Sequence, residues 1–109
     1  MARDAGLEAM VEEALEGLHV TRKAMFGGLA WMCHGNLLCG ARVGNLLLRL
    51  GKGNDTWALA IPGVTQMMTG KRAMSGWVRV PVDVYADDAL RKRLLDSAKR
   101  FVMALPPKE

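Results

Sequence analysis

Long apolar runs, a signal-peptide core, metal-ligand spacings and a catalytic pairing are all missing from this 109-residue sequence, and each absence removes a class of protein. The apolar runs are short and broken by Gly, Arg or Asn, so no segment has the length to span a bilayer. Met1-Ala2-Arg3-Asp4 leads into no signal-peptide apolar core, which points to the cytoplasm. Two Cys and two His lack zinc-ligand spacing, and the carboxylates lie at charge-pair spacing on helices and loops, so no metal and no cofactor is expected. Cys33 and His34 are chain neighbours whose side chains leave a strand on opposite faces, which rules out a thiolate-imidazolium pair there. His34 reads as a turn residue and His19 as a helix-end cation. Gly51-Lys52-Gly53-Asn54 lacks the glycine spacing, the Ser/Thr and the long following helix of a phosphate-binding Walker loop. No catalytic residue is assigned, and the expectation is a protein without enzyme activity.

Cysteine is scarce as well. Cys33 and Cys39 flank the first hairpin, and any two-residue loop at 34–36 pairs an odd position with an even one, which sends the two thiols to opposite sheet faces. A three-residue loop would restore the pairing. The compartment favours two reduced, small core residues.

Acidic residues are unevenly spread. Residues 1–18 hold one basic and five acidic side chains, and residues 81–109 hold six basic and five acidic. Between His19 and Val80 stand Arg22, Lys23, Arg42, Arg49, Lys52, Lys71, Arg72 and Arg79 against the single acid Asp55. A field of that sign favours an anionic partner: nucleic acid, an acidic protein patch, or the chain's own first helix. Hydrophobic residues make up 50% and charged residues 24%, an ordinary globular balance, and the length fits one domain over residues 1–109.

Leu7, Met10, Val11, Ala14, Leu15 and Leu18 form the stripe of an amphipathic helix, with Glu8, Glu12 and Glu16 stacked on its outer side. Strands follow at about 29–33, 37–43 and 46–50, divided by His34-Gly35-Asn36 and Val43-Gly44-Asn45, where Gly beside Asn is a hairpin signal. A short helix capped at Asn54 or Asp55 stops at Pro62-Gly63. Two more strands, 64–68 and 75–80, join through Thr69-Gly70-Lys71. A final helix runs from about Asp87 to Leu105, before Pro106-Pro107. The expected fold is α+β: an antiparallel sheet, a meander plus additional strands, with N- and C-terminal helices packed on one face.

Two-residue turns fix the faces by parity. One face collects Ala30, Met32, Leu37, Cys39, Ala41, Val43, Leu46, Leu48 and Leu50, an apolar set that belongs under the helices. The other collects Leu29, Trp31, Cys33, Leu38, Gly40, Arg42, Leu47 and Arg49, joined by Trp77 and Arg79 if Val78 and Val80 enter the core. Trp31, Arg42, Arg49, Trp77 and Arg79 are therefore the candidate interaction face, since tryptophan and arginine dominate interface hot spots and also stack nucleobases. Three readings stay open: a cover supplied by the chain itself, a homodimer interface, or a platform for another partner.

Met25-Phe26-Gly27-Gly28, the segment Thr69-Gly70-Lys71-Arg72-Ala73-Met74-Ser75-Gly76-Trp77-Val78-Arg79-Val80-Pro81 and the closing Leu105-Pro106-Pro107-Lys108 come in a characteristic order. In that order and spacing they resemble the N-terminal domain family of the TfoX/Sxy competence regulators, over roughly residues 20–108. The resemblance implies an α+β domain with helices on an antiparallel sheet and no catalytic site, and marks Met25, Phe26, Gly27, Gly28, Gly76 and Trp77 as fold determinants. Longer members carry a second domain and control transcription of DNA-uptake genes; competence regulation is not carried over with the resemblance alone. The expected role is a small regulatory or adaptor domain acting through contact with a protein or with itself, with direct nucleic-acid binding as the rival.

Overall fold

The computed structural model describes residues 3–25 and 27–107; Phe26 of the glycine motif lies outside them. Helix α1 (Ala5–Ala14) starts where the Asp4 carboxylate accepts a hydrogen bond from the Leu7 N–H at 3.1 Å, satisfying one of the first-turn donors. It buries Leu7 and Val11, and Leu15 just past its end. The helix stops at Ala14, earlier than the apolar stripe suggests, because the chain turns through Gly17 at φ 88°. Met10, placed in that stripe, is exposed.

Six strands follow in one antiparallel sheet: β1 (Val20–Met25), β2 (Gly28–Cys33), β3 (Asn36–Arg42), β4 (Asn45–Arg49), β5 (Thr65–Thr69) and β6 (Arg72–Pro81). Their order across the sheet is β1-β2-β3-β4-β6-β5. Short helix α2 (Thr56–Leu59) precedes β5, and α3 (Val82–Tyr85) and α4 (Asp88–Met103) follow β6. Asp87 caps α4, accepting from the Ala89 and Leu90 N–H groups at 3.0 and 3.1 Å. The α+β expectation holds. Strand β1 was not foreseen: Thr21, Arg22 and Lys23 are exposed on the sheet's edge, where charge replaces the apolar alternation that marks an interior strand.

Leu94, Leu95, Ala98 and Val102 of α4 join Leu7, Val11 and Leu15 over one sheet face, meeting Cys39, Ala41, Leu46, Leu48, Val78 and Val80. Each of these leucines and valines contributes about 1.5–3 kcal/mol by leaving water. The Lys99 ammonium donates to the Ala14 carbonyl at 2.9 Å, tying α4 to the end of α1. The Asn36 amide donates to the Pro106 carbonyl at 3.0 Å and fastens the C-terminal segment to the first hairpin.

That hairpin overturns half of the parity assignment. His34, at φ 53°, and Gly35, at φ 82°, form a two-residue turn that pairs Cys33 with Asn36. Trp31 then pairs with Cys39 while Met32 pairs with Leu37, so β3 carries one extra residue, Leu38, opposite β2. The bulge inverts β2 relative to the rest of the meander. Trp31 and Cys33 lie in the helix-covered core, together with both Leu38 and Cys39. Ala30 is buried on the opposite face, Met32 and Leu37 are only half-buried, and Val43, in the second turn, is 62% exposed. The two cysteines accordingly share a face, contrary to the parity argument, and both are buried and free.

The chain's glycines act sterically where backbones meet. A Cβ on Gly28 would overlap the Ala41 carbonyl oxygen of β3. Gly76, at φ 89°, allows its carbonyl to accept from the Leu50 and Gly51 N–H groups at 2.7 and 3.1 Å, and its own N–H donates to the Asp55 carboxylate at 3.1 Å. Asp55, read as a helix cap, makes no side-chain cap bond to α2 and serves this junction instead.

Candidate interaction surface

Opposite the helices, alternation along β3, β4 and β6 places Arg42, Asn45, Leu47, Arg49, Trp77 and Arg79 on one face. Cross-strand pairing sets Arg49 beside Trp77 and Leu47 beside Arg79. The Arg49 guanidinium lies 5.2 Å from the Trp77 ring centroid and 5.6 Å from that of Phe101, both within cation-π range. Arg79 donates to the Asn45 side-chain oxygen at 2.9 Å. Burial, and then the neighbouring Arg42, push the Arg79 guanidinium below its ordinary value. Arg42, Arg49, Trp77 and Arg79 are all half-buried, so each combines a positioned stem with an accessible head.

None of the six strands contains Asp or Glu. The Asp55 carboxylate is turned to Gly76. Among the described residues no carboxylate pairs with Arg42, Arg49 or Arg79. The dimple among Arg42, Asn45, Leu47 and Arg79 has a volume of only about 10 Å³, room for one water. Such relief suits another macromolecule's surface and not a small ligand.

Trp31 is not part of this face. Its ring is fully buried beneath α1, and its indole N–H donates to the Glu12 carboxylate at 2.8 Å. Arg22 of β1 donates to the same carboxylate, one contact at 2.6 Å. These bonds, Arg22 first, hold the Glu12 carboxyl down from 4.5 to about 2 against the opposing effect of burial. The basic neighbour that the stacked glutamates call for is thus Arg22, within the chain. Burial raises the Cys39 thiol, the reverse of an activated nucleophile. Among the described residues no group of three or more His, Cys, Asp or Glu is placed to hold a metal ion, and no helix is long and apolar enough to cross a membrane.

Against known families, the model of the TfoX N-terminal domain matches residues 13–102. The chain belongs to the TfoX N-terminal domain family. No curated protein and no solved structure matches it. Membership in the TfoX N-terminal domain family points to a regulatory, competence-related domain, and the family is not one of known enzymes. Of the motif positions, Met25 ends β1, Gly27 turns at φ 75°, Gly28 opens β2, and Gly76 and Trp77 lie in β6.

Sequence reasoning missed Asn45 and Phe101 as members of the surface. Asn45 shares the parity of Leu47 and Arg49, so the signal was available. Phe101 carried no such signal: it reaches Arg49 only because α4 ends beside Gly51, whose missing side chain makes room for the Phe101 ring.

Proposed function

We propose that this TfoX N-terminal domain is a non-enzymatic regulatory module of the cytoplasm that acts by contact, its outer sheet face docking on an acidic patch of a partner protein. The carrying observation is the cluster of half-buried Arg42, Arg49, Arg79 and Trp77 over the buried Leu47, without a carboxylate on any strand. Arginine and tryptophan around an apolar centre are the composition of a hot spot, and unbalanced charge of one sign selects its opposite. A second copy fits less well, since a two-fold interface would set these arginines against their own counterparts.

The test is the double substitution Arg42→Glu with Arg49→Glu. Native-cell proteins retained by the immobilised wild-type domain are compared with those retained by the variant, and binding of labelled DNA and RNA is followed by fluorescence anisotropy across a salt series. An acidic protein held by the wild type and released by the variant is expected. Micromolar nucleic-acid binding that the variant abolishes, with a log-log salt slope near −0.9 per phosphate on duplex DNA, would replace the protein partner by nucleic acid.

A further inference from the structure

Loop 51–55 and α4 border an open cleft of about 520 Å³ that meets the arginine face at Phe101, whose ring also lies under Arg49. That volume lies within the roughly 300–1,000 Å³ of small-molecule sites. Two kinds of surface line it. Trp57 and Phe101 are flat and apolar; Arg93, Arg100, Ser97 and Asn54 are polar. Among the described residues no carboxylate lines the cleft, and Asp55, adjoining it in the chain, spends its side chain on Gly76. Arg93, Ser97 and Arg100 stand at i, i+4 and i+7, one face of α4. The Arg93 guanidinium lies 4.3 Å from the Trp57 ring centroid. Among the described residues the ion pairs of α4 are made by Arg91, Lys92 and Lys99, which leaves Arg93 and Arg100 without a carboxylate partner.

We propose that this cleft binds a mononucleotide, its phosphate on Arg93 and Arg100 and its base against the Trp57 and Phe101 side of the lining. Guanidinium forks match phosphate oxygens two at a time, and two of them unopposed by acid suit a dianion better than a single carboxylate. Aromatic rings, one of them with a guanidinium 4.3 Å from its centroid, provide stacking surfaces that accept any base. The cleft, at about 520 Å³, has room for one nucleotide, so a strand of nucleic acid would leave most of its length outside. The ligand would act on the regulatory module as an effector, through a site that touches the arginine face at Phe101 alone.

Binding is measured by calorimetry and by tryptophan fluorescence with AMP, GMP, adenosine, inorganic phosphate and a single-stranded oligonucleotide. Saturable binding of AMP or GMP with Kd below about 1 mM is expected, at least tenfold tighter than adenosine or phosphate alone. Arg93→Ala and Arg100→Ala should each weaken it by about tenfold, the worth of a charge-assisted contact. Both side chains are exposed, so the variants should keep the fold, which circular dichroism checks. Arg42→Glu, on the other face, should leave nucleotide affinity unchanged, which separates this inference from the partner-docking reading. The proposal fails if no nucleotide saturates the protein, if phosphate alone binds as tightly as AMP, if neither arginine variant weakens binding, or if the oligonucleotide binds about tenfold more tightly than the mononucleotide.

Discussion

Glu12 holds two donors on one carboxylate, the Arg22 guanidinium and the Trp31 indole, and so couples α1, β1 and β2 at a single side chain. Its carboxyl is held down from 4.5 to about 2, so between those values the unfolded chain takes up the proton first. The contribution is complete above the ordinary value and disappears as pH falls toward 2. With the side chain 38% exposed, solvent screens part of it. Glu12→Gln should therefore lose stability near neutral pH, and urea titrations should show the gap to wild type closing between about pH 5 and pH 2. A gap that stays constant over that window would show that the carboxylate charge is not what Arg22 and Trp31 hold. Leu48, fully buried and paired with Cys39 and Val78, has no polar role. Leu48→Ala should cost about 2–5 kcal/mol in denaturant unfolding, and a loss below about 0.5 would mean the side chain faces solvent.

At the scale of elements, the decisive device is the bulge at Leu38. Parity carries correctly from Cys39 of β3 onward through β4 and β6, where Cys39, Ala41, Leu46, Leu48, Val78 and Val80 do enter the core, but not at Leu37 and Leu38. It fails across β2 because no residue type marks a bulge: Leu37-Leu38-Cys39 reads as an unbroken apolar run in which either alternation is allowed. The glycine at the start of β2 was legible for a different reason, since a motif glycine ahead of apolar strands announces a close approach. Gly28 lies against Ala41, and no rotamer moves a Cβ away from that carbonyl. Gly28→Val should part β2 from β3 at this end and destabilise the fold by about 1–3 kcal/mol or more. A thermal melt of the variant that matches wild type would show that β3 can yield there.

On the whole-molecule scale, one helical layer covers one side of a six-stranded sheet, and the charge of the chain divides accordingly. Acids cluster on α1, where Glu8 and Glu12 pair with Arg3 and Arg22, while the strands carry cations without acids. The excess of positive charge in the middle of the chain was plain in the sequence; its distribution was not, because Arg22 turns to α1 while Arg42, Arg49 and Arg79 turn away from it. This division bears on self-association. An isologous pairing through the outer face would bring six arginines together with neutral neighbours such as Asn45 and Thr65 and no strand carboxylate to offset them, and like charges in close contact oppose assembly most at low salt. The domain should therefore elute as a monomer by light scattering at about 50 mM salt, and Arg42→Glu with Arg49→Glu should not change its mass. A wild-type dimer at low salt that the double substitution dissolves would place a second copy on this face in place of an acidic partner. A dimer that survives the substitution would place the contact elsewhere, with edge strand β5 (Thr65–Thr69) the uncharged place to look.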